Sequence, residues 1–158
     1  MQNTIPTPSA DDIQDIIVRH LDREGPLLPI LHDLQDIYGC IPATAHEPVA
    51  GALNITRAEL HGVISFYHDF REKPAGRHVL KICRAEACQS MGSEALAASL
   101  LTKLGLDWHE TTANGALTVE PVYCLGLCAC GPAAMIDGKV VGRADGARLD
   151  AILAEAGA

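Results

Sequence analysis

Apolar residues recur at helical spacing through the first half of the chain and change to short β-type runs in the second. Ile13, Ile16, Ile17 and Leu21 share one helical face, behind Ser9 as a candidate N-cap with Asp12 at the third helical position. Gly25-Pro26 stops that helix. A second is predicted from about Leu27 to Tyr38, with Ile30, Leu31, Leu34 and Ile37 on its apolar face and Gly39 at its end. A third is predicted from about Thr44 to Leu53. Thr56-Arg57-Ala58-Glu59 then reads as a capping box that opens a fourth helix, to about Tyr67. Short amphipathic helices in this order predict a small bundle whose first task is to pack.

The pattern breaks at Pro74-Ala75-Gly76, a turn signal. Arg77 to Cys83 is a short β-rich run, Ser93 to Leu104 is apolar at helical spacing, and Ala116 to Cys124 is a second strand. Pro121 lacks an N–H for a ladder, so it puts this second strand at an edge or a bulge. Ala133 to Ile136 and Lys139 to Gly142 flank Asp137-Gly138, a hairpin signal. Asp145 caps a last helix over 147–156. The order β-α-β-β-α predicts a small sheet with helices packed on it. The chain is therefore expected to be α+β, with a helical bundle over 1–74 and a thioredoxin-like domain over 75–158.

Composition narrows the partners. Hydrophobic residues make up 48% but aromatics only 4%, so the core has to rest on Ala, Leu, Ile and Val. The formal net charge is −8 and no Lys/Arg run is present, which speaks against nucleic acid, whose binding rests on phosphate neutralisation. Met1 to Ala10 has neither the basic nor the apolar region of a signal peptide. No apolar stretch is long enough to span a membrane. A cytoplasmic location is expected, and there cysteines bind metal or do redox chemistry more often than they form structural disulfides.

Four of the six cysteines form two pairs. Cys83 and Cys88 are spaced C-x4-C after the first strand, and Cys124 and Cys128 are spaced C-x3-C after the second. If the two strands are parallel neighbours, both loops meet at one edge of the sheet. Two loops with two thiolates each match a [2Fe–2S] cluster, in which each tetrahedral iron takes two protein sulfurs. Structural zinc is the first rival, although its knuckles are typically shorter and often include His. A reactive dithiol is the second, although no C-x-x-C is present. Gly92 and Gly126 would let backbone N–H groups approach a negative cluster. Leu125, Leu127 and Ala129 would exclude water, and Arg84 would add a positive charge beside a ligand. Cys40 reads as a small buried hydrophobe, and Cys130 as a neighbour of Cys128 that could compete with it. His61 and His68 could share a helix face, but no third ligand accompanies them. No phosphate-binding or nucleophile-elbow motif occurs, so no catalytic residue is assigned.

At these residues the sequence resembles the thioredoxin-like [2Fe–2S] subunit of respiratory NADH dehydrogenase, the 24 kDa-type subunit, and its relatives. The resemblance runs from about Leu27 to Arg143, through LLPILHDLQDIYGCIP, LHGVISFYHDFREKPAGRHVLKIC and VYCLGLCACGP. It implies Cys83, Cys88, Cys124 and Cys128 as the ligands of one [2Fe–2S] cluster. The sequence departs from the family at Cys40, commonly Tyr, and at Gly131-Pro132, commonly Ala-Pro. SFYHDFR and CRAEACQSMG are most similar to the gamma subunit of NAD-dependent formate dehydrogenase. That resemblance implies a partner subunit that binds FMN and NADH, and a large formate-oxidising subunit with a molybdenum or tungsten cofactor and further Fe–S clusters. The helical bundle would then be a docking element. The equivalent subunit of NADH dehydrogenase, or of the diaphorase of an NAD-linked bidirectional hydrogenase, is the alternative. A zinc-stabilised adaptor and a thiol oxidoreductase are alternatives of other classes.

Overall fold

The computed structural model describes residues 8–158; Met1 to Thr7, on which much of the N-terminal leader reading rests, lie outside them. The chain divides into two compact units, Met1–Pro74 and Ala75–Ala158. Each has its own apolar core.

The first unit holds α1 (Ala10–Val18), α2 (Leu27–Tyr38), α3 (Ala43–Ala52) and α4 (Arg57–Phe66). Ser9 and Thr56 cap α1 and α4 in full capping boxes, with Asp12 and Glu59 reaching back to the cap backbone. These boxes satisfy N–H groups that a helix start leaves without partners. The core joins Ile13, Ile16 and Ile17 of α1 to Ile30, Leu31 and Leu34 of α2 and to Ala45, Val49, Leu60 and Ile64. Two details depart from the periodicity. Helix α1 stops at Val18 and leaves Leu21 exposed. Tight turns follow it, with the N–H of His20 bonded to Ile17 and that of Arg23 to His20. In α2, Ile37 is exposed and Tyr38 is buried in its place. The buried arc centres on Ile30, Leu31, Leu34 and Tyr38, and Ile37 lies at its margin.

The turn after α1 is fastened by His20, whose Nε2 lies 2.7 Å from Asp33 Oδ2 on α2. The His20 hydrogen bond, aided by the charges of Arg19 and Arg23 against the effect of burial, holds the Asp33 carboxyl below its ordinary pKa. A depressed carboxyl pKa stabilises the fold above the unfolded-state value of about 3.9, and this contribution is lost as pH falls through the folded-state value. Asp33→Asn is therefore expected to lower stability at neutral pH and to flatten the acid limb of the stability profile below about pH 4. Urea midpoints measured across pH would show this; an acid limb unchanged from wild type would rule the pair out as a contributor.

The second unit runs β1 (His78–Cys83), α5 (Glu86–Ser90), α6 (Ser93–Leu104), β2 (Leu117–Val122), a short 3-10 turn at Cys128–Cys130, β3 (Ala134–Ile136), β4 (Lys139–Val141) and α7 (Gly146–Ala156). Strand order is β2-β1-β3-β4. β1 and β2 are parallel, with Cys83 opposite Val122; the other pairs are antiparallel. Pro121 falls on the edge strand β2, where a missing N–H is tolerated. Asp137 at the hairpin turn takes φ +46 and accepts from the N–H of Val79 at 2.9 Å. Leu80, Ile82, Leu117, Val119 and Ala134 of the sheet pack with Ala97 and Leu100 of α6 and Leu149 and Leu153 of α7. Helix α5, which begins within the C-x4-C segment and carries Cys88, is not visible in the hydrophobic pattern, since it is only 5 residues long. Among the described residues no helix is long and apolar enough to cross a membrane.

Candidate metal centre

Parallel pairing of β1 and β2 places their C-terminal ends side by side, and a cysteine pair follows each end. Cys83 is the last residue of β1, and Cys124 comes two residues after β2. The two loops meet in hydrogen bonds. The Cys83 sulfur accepts from the backbone N–H groups of Ala85 in its own loop and of Cys124 and Leu125 in the other. The backbone of Ala133 serves Cys88 in the same way. Cys124 Sγ and Cys128 Sγ are 3.7 Å apart. The structure thus brings together all four cysteines of the two pairs. Among the described residues no three His, Cys, Asp or Glu side chains are placed to hold one metal ion. The thiols stand two and two, the division a dinuclear cluster requires.

The pairs differ in environment. Cys83 and Cys88 are buried, with Ala85, Ala133, Val122, Leu125 and Leu127 packed around them. Cys124 and Cys128 are exposed. Burial works to raise the pKa of Cys83, but the three backbone N–H groups and the Cys88 thiol outweigh it and hold the thiol below its ordinary value. Burial and the Cys83 thiol push Cys88 up. The Cys128 thiol donates to the Cys124 sulfur, and that bond with the negative charge on Cys124 pushes Cys128 up. Crowding of thiolates opposes deprotonation unless a cation shares the site, and iron is such a cation.

Several supporting residues differ from the expectation. Gly126 and Gly92 take φ +77 and +91, and a Cβ on either would meet open space. They are needed for the left-handed turns they make, and not for room. Cys124 itself sits at φ +82, an uncommon conformation for a residue with a side chain. Leu125 and Leu127 pack on the buried pair, whereas Ala129 is exposed. Arg84 is drawn away to Trp108, its guanidinium 5.3 Å from the ring centroid and 3.6 Å from Glu94. No sequence signal pointed to Trp108. Cys130 is half-buried in the 3-10 turn, and Cys40 is buried in the helical unit, where burial raises its thiol pKa. His68 lies beyond the end of α4, so it shares no helix face with His61.

The model of the thioredoxin-like [2Fe–2S] ferredoxin family matches residues 13–157. The chain belongs to this family. Its [2Fe–2S] cofactor and electron-transfer chemistry are those the paired thiols suit. Curated relatives of this ferredoxin include an NADH-quinone oxidoreductase subunit of Rhizobium meliloti (strain 1021), 36% identical over 143 residues, covering 90% of this chain and 85% of the relative. The NADP-reducing hydrogenase subunit HndA of Solidesulfovibrio fructosivorans is 28% identical over 151 residues, covering 96% of this chain and 88% of the relative. Among solved structures, an NAD+-reducing [NiFe]-hydrogenase in the air-oxidized state matches with TM-score 0.68 and 28% identity over 83% of this chain. The ferredoxin chain spans 22% of that hydrogenase chain.

Proposed function

We propose that this chain is the electron-transfer subunit of a cytoplasmic NAD-linked oxidoreductase complex, with one [2Fe–2S] cluster held by Cys83, Cys88, Cys124 and Cys128. The observation that carries the proposal is the meeting of the two thiol pairs at the ends of parallel strands, with N–H groups of the second loop donating to a sulfur of the first. When bound, the cluster supplies a one-electron redox site. The thiolates hold it, the N–H groups of Ala85, Cys124, Leu125 and Ala133 face their negative charge, and Val122, Leu125 and Leu127 keep water from the buried side. The exposed pair, Cys124 and Cys128, is the side open to an electron partner.

That partner is proposed to be a chain carrying FMN and an NADH site, with the unit Met1–Pro74 as a docking element. The wider complex has several readings. SFYHDFR and CRAEACQSMG support an NAD-dependent formate dehydrogenase with a separate formate-oxidising subunit. The relatives named as NADH-quinone oxidoreductase and hydrogenase subunits give equal support to those two settings. Assay of the complex purified from its host with formate, NADH and hydrogen distinguishes them.

The purified chain is expected to be red-brown and to give a reduced [2Fe–2S] EPR signal with dithionite. NADH is expected to produce the signal only after the flavin-bearing chain is added. Prompt reduction by NADH in the absence of flavin would mean the chain has a nucleotide site of its own. A colourless chain with stoichiometric zinc would overturn the proposal in favour of an adaptor.

A further inference from the structure

The chain has a net charge of −8, yet the ground around the exposed thiol pair is neutral, and Arg143 and Arg148 stand at its margin with Asp145 between them in sequence. From Pro121 to Ile136, 16 residues include no Asp, Glu, Lys or Arg. Within that run Tyr123 is 60% exposed, and Met91 on the neighbouring loop is equally so. Met91 belongs to the same ground: a Cβ on Gly131 would lie 3.4 Å from Met91 Cγ and 3.6 Å from Cys88 Sγ. The 142–143 segment is laid across the loop that carries Cys128. A Cβ on Gly142 would lie 3.1 Å from Cys130 Cβ and 3.8 Å from Leu127 Cδ1. The N–H of Arg143 donates to the Cys130 carbonyl.

Arg143 takes φ +50, a left-handed conformation that is costly for a residue with a Cβ. Its side chain is exposed and, among the described residues, makes no ion pair or hydrogen bond. Arg148, in the first turn of α7, reaches back with its guanidinium donating to the Gly142 carbonyl at 2.7 Å. Lys139 begins the edge strand β4, where a lysine discourages strand addition, and its charge acts on Asp137 at the hairpin. Arg143 has no such task.

We infer that Arg143, with Arg148 beside it, is a docking residue that receives carboxylates of the electron-exchanging partner at the Cys124–Cys128 edge. The inference rests on the electron-transfer reading above. A neutral, partly apolar centre with a charged rim is the usual anatomy of a protein interface. Rim charges set the rate and orientation of approach more than the final affinity. A partner with acidic residues around its own redox centre is repelled by most of this acidic chain and attracted at this edge, so it arrives with the two redox sites facing. A second copy of this chain, itself acidic, is the competing occupant.

The test uses the full cluster-loaded chain and the flavin-bearing chain purified from the native complex. Wild type, Arg143→Gln and Arg143→Glu are reduced with NADH and followed by stopped flow over a range of ionic strength. Dithionite-developed EPR checks that each carries its cluster. The wild-type rate is expected to fall as salt rises, and Arg143→Glu to be slower by about tenfold at low salt, with Arg143→Gln between them. The gap should close at high salt, where rim charges are screened. Equal rates and equal salt slopes in all three would overturn the role of Arg143 and leave the electron-transfer reading standing. Failure of the flavin chain to reduce even wild type, in the presence of a normal dithionite signal, would instead overturn that reading. A dimer of this chain in sedimentation, lost in Arg143→Glu with reduction rates unchanged, would assign the edge to a second copy and overturn the acidic-partner inference.

Discussion

Cys83→Ala is expected to reduce bound iron and acid-labile sulfide to near background. Cys83 is 1% exposed, ends β1, and takes N–H groups from both loops. Its removal deletes a ligand and leaves the Cys124 and Leu125 N–H groups facing a void. A buried donor without an acceptor costs about 1–3 kcal/mol, so the second loop should loosen as well. Cys88→Ala, Cys124→Ala and Cys128→Ala are expected to lose the cluster for the simpler reason that each iron needs two thiolates. Cys40→Ala should keep full iron content, because Cys40 lies in the other unit. The informative contrast is within the 3-10 turn. Full content in Cys128→Ala together with loss in Cys130→Ala would transfer the ligand role to Cys130.

Ile82→Ala is expected to cost about 2–5 kcal/mol of stability, the range for truncating a large buried aliphatic side chain. Ile82 is 0% exposed and packs in the core that joins the sheet to α6 and α7. It also directly precedes Cys83, so a cavity there loosens the strand end that positions the first thiol pair. Two readouts should move together: a lower urea midpoint, and faster loss of the visible cluster absorbance in the presence of a chelator. A stability loss under about 1 kcal/mol would mean that neighbouring side chains collapse into the space. Lower stability with unchanged cluster retention would show that the strand end is held by the cluster itself.

Sequence by itself determined most of the local structure, because the relevant physics is local. Ser9 and Thr56 announce helix starts through hydroxyls that reach N–H groups three residues on. Pro121 excludes a central strand, and Asp137-Gly138 makes a turn wherever two β runs flank it. The two cysteine pairs could be read from spacing, and parallel pairing of β1 and β2 is the arrangement that spacing required. Tertiary structure alone decided which residues of each pattern are covered. Ile37 and Tyr38 are adjacent on α2, and only the position of the neighbouring helices makes Tyr38 the buried one. The C-x4-C and C-x3-C loops look equivalent along the chain, yet one pair is buried and the other exposed, because Ala85, Val122, Leu125, Leu127 and Ala133 pack around only the first. Trp108 beside Arg84, and Arg143 beside the Cys130 carbonyl, join residues far apart in sequence. Such contacts are set by strand order and register, which arise from the burial of the whole sheet face and leave no mark in any short window of residues.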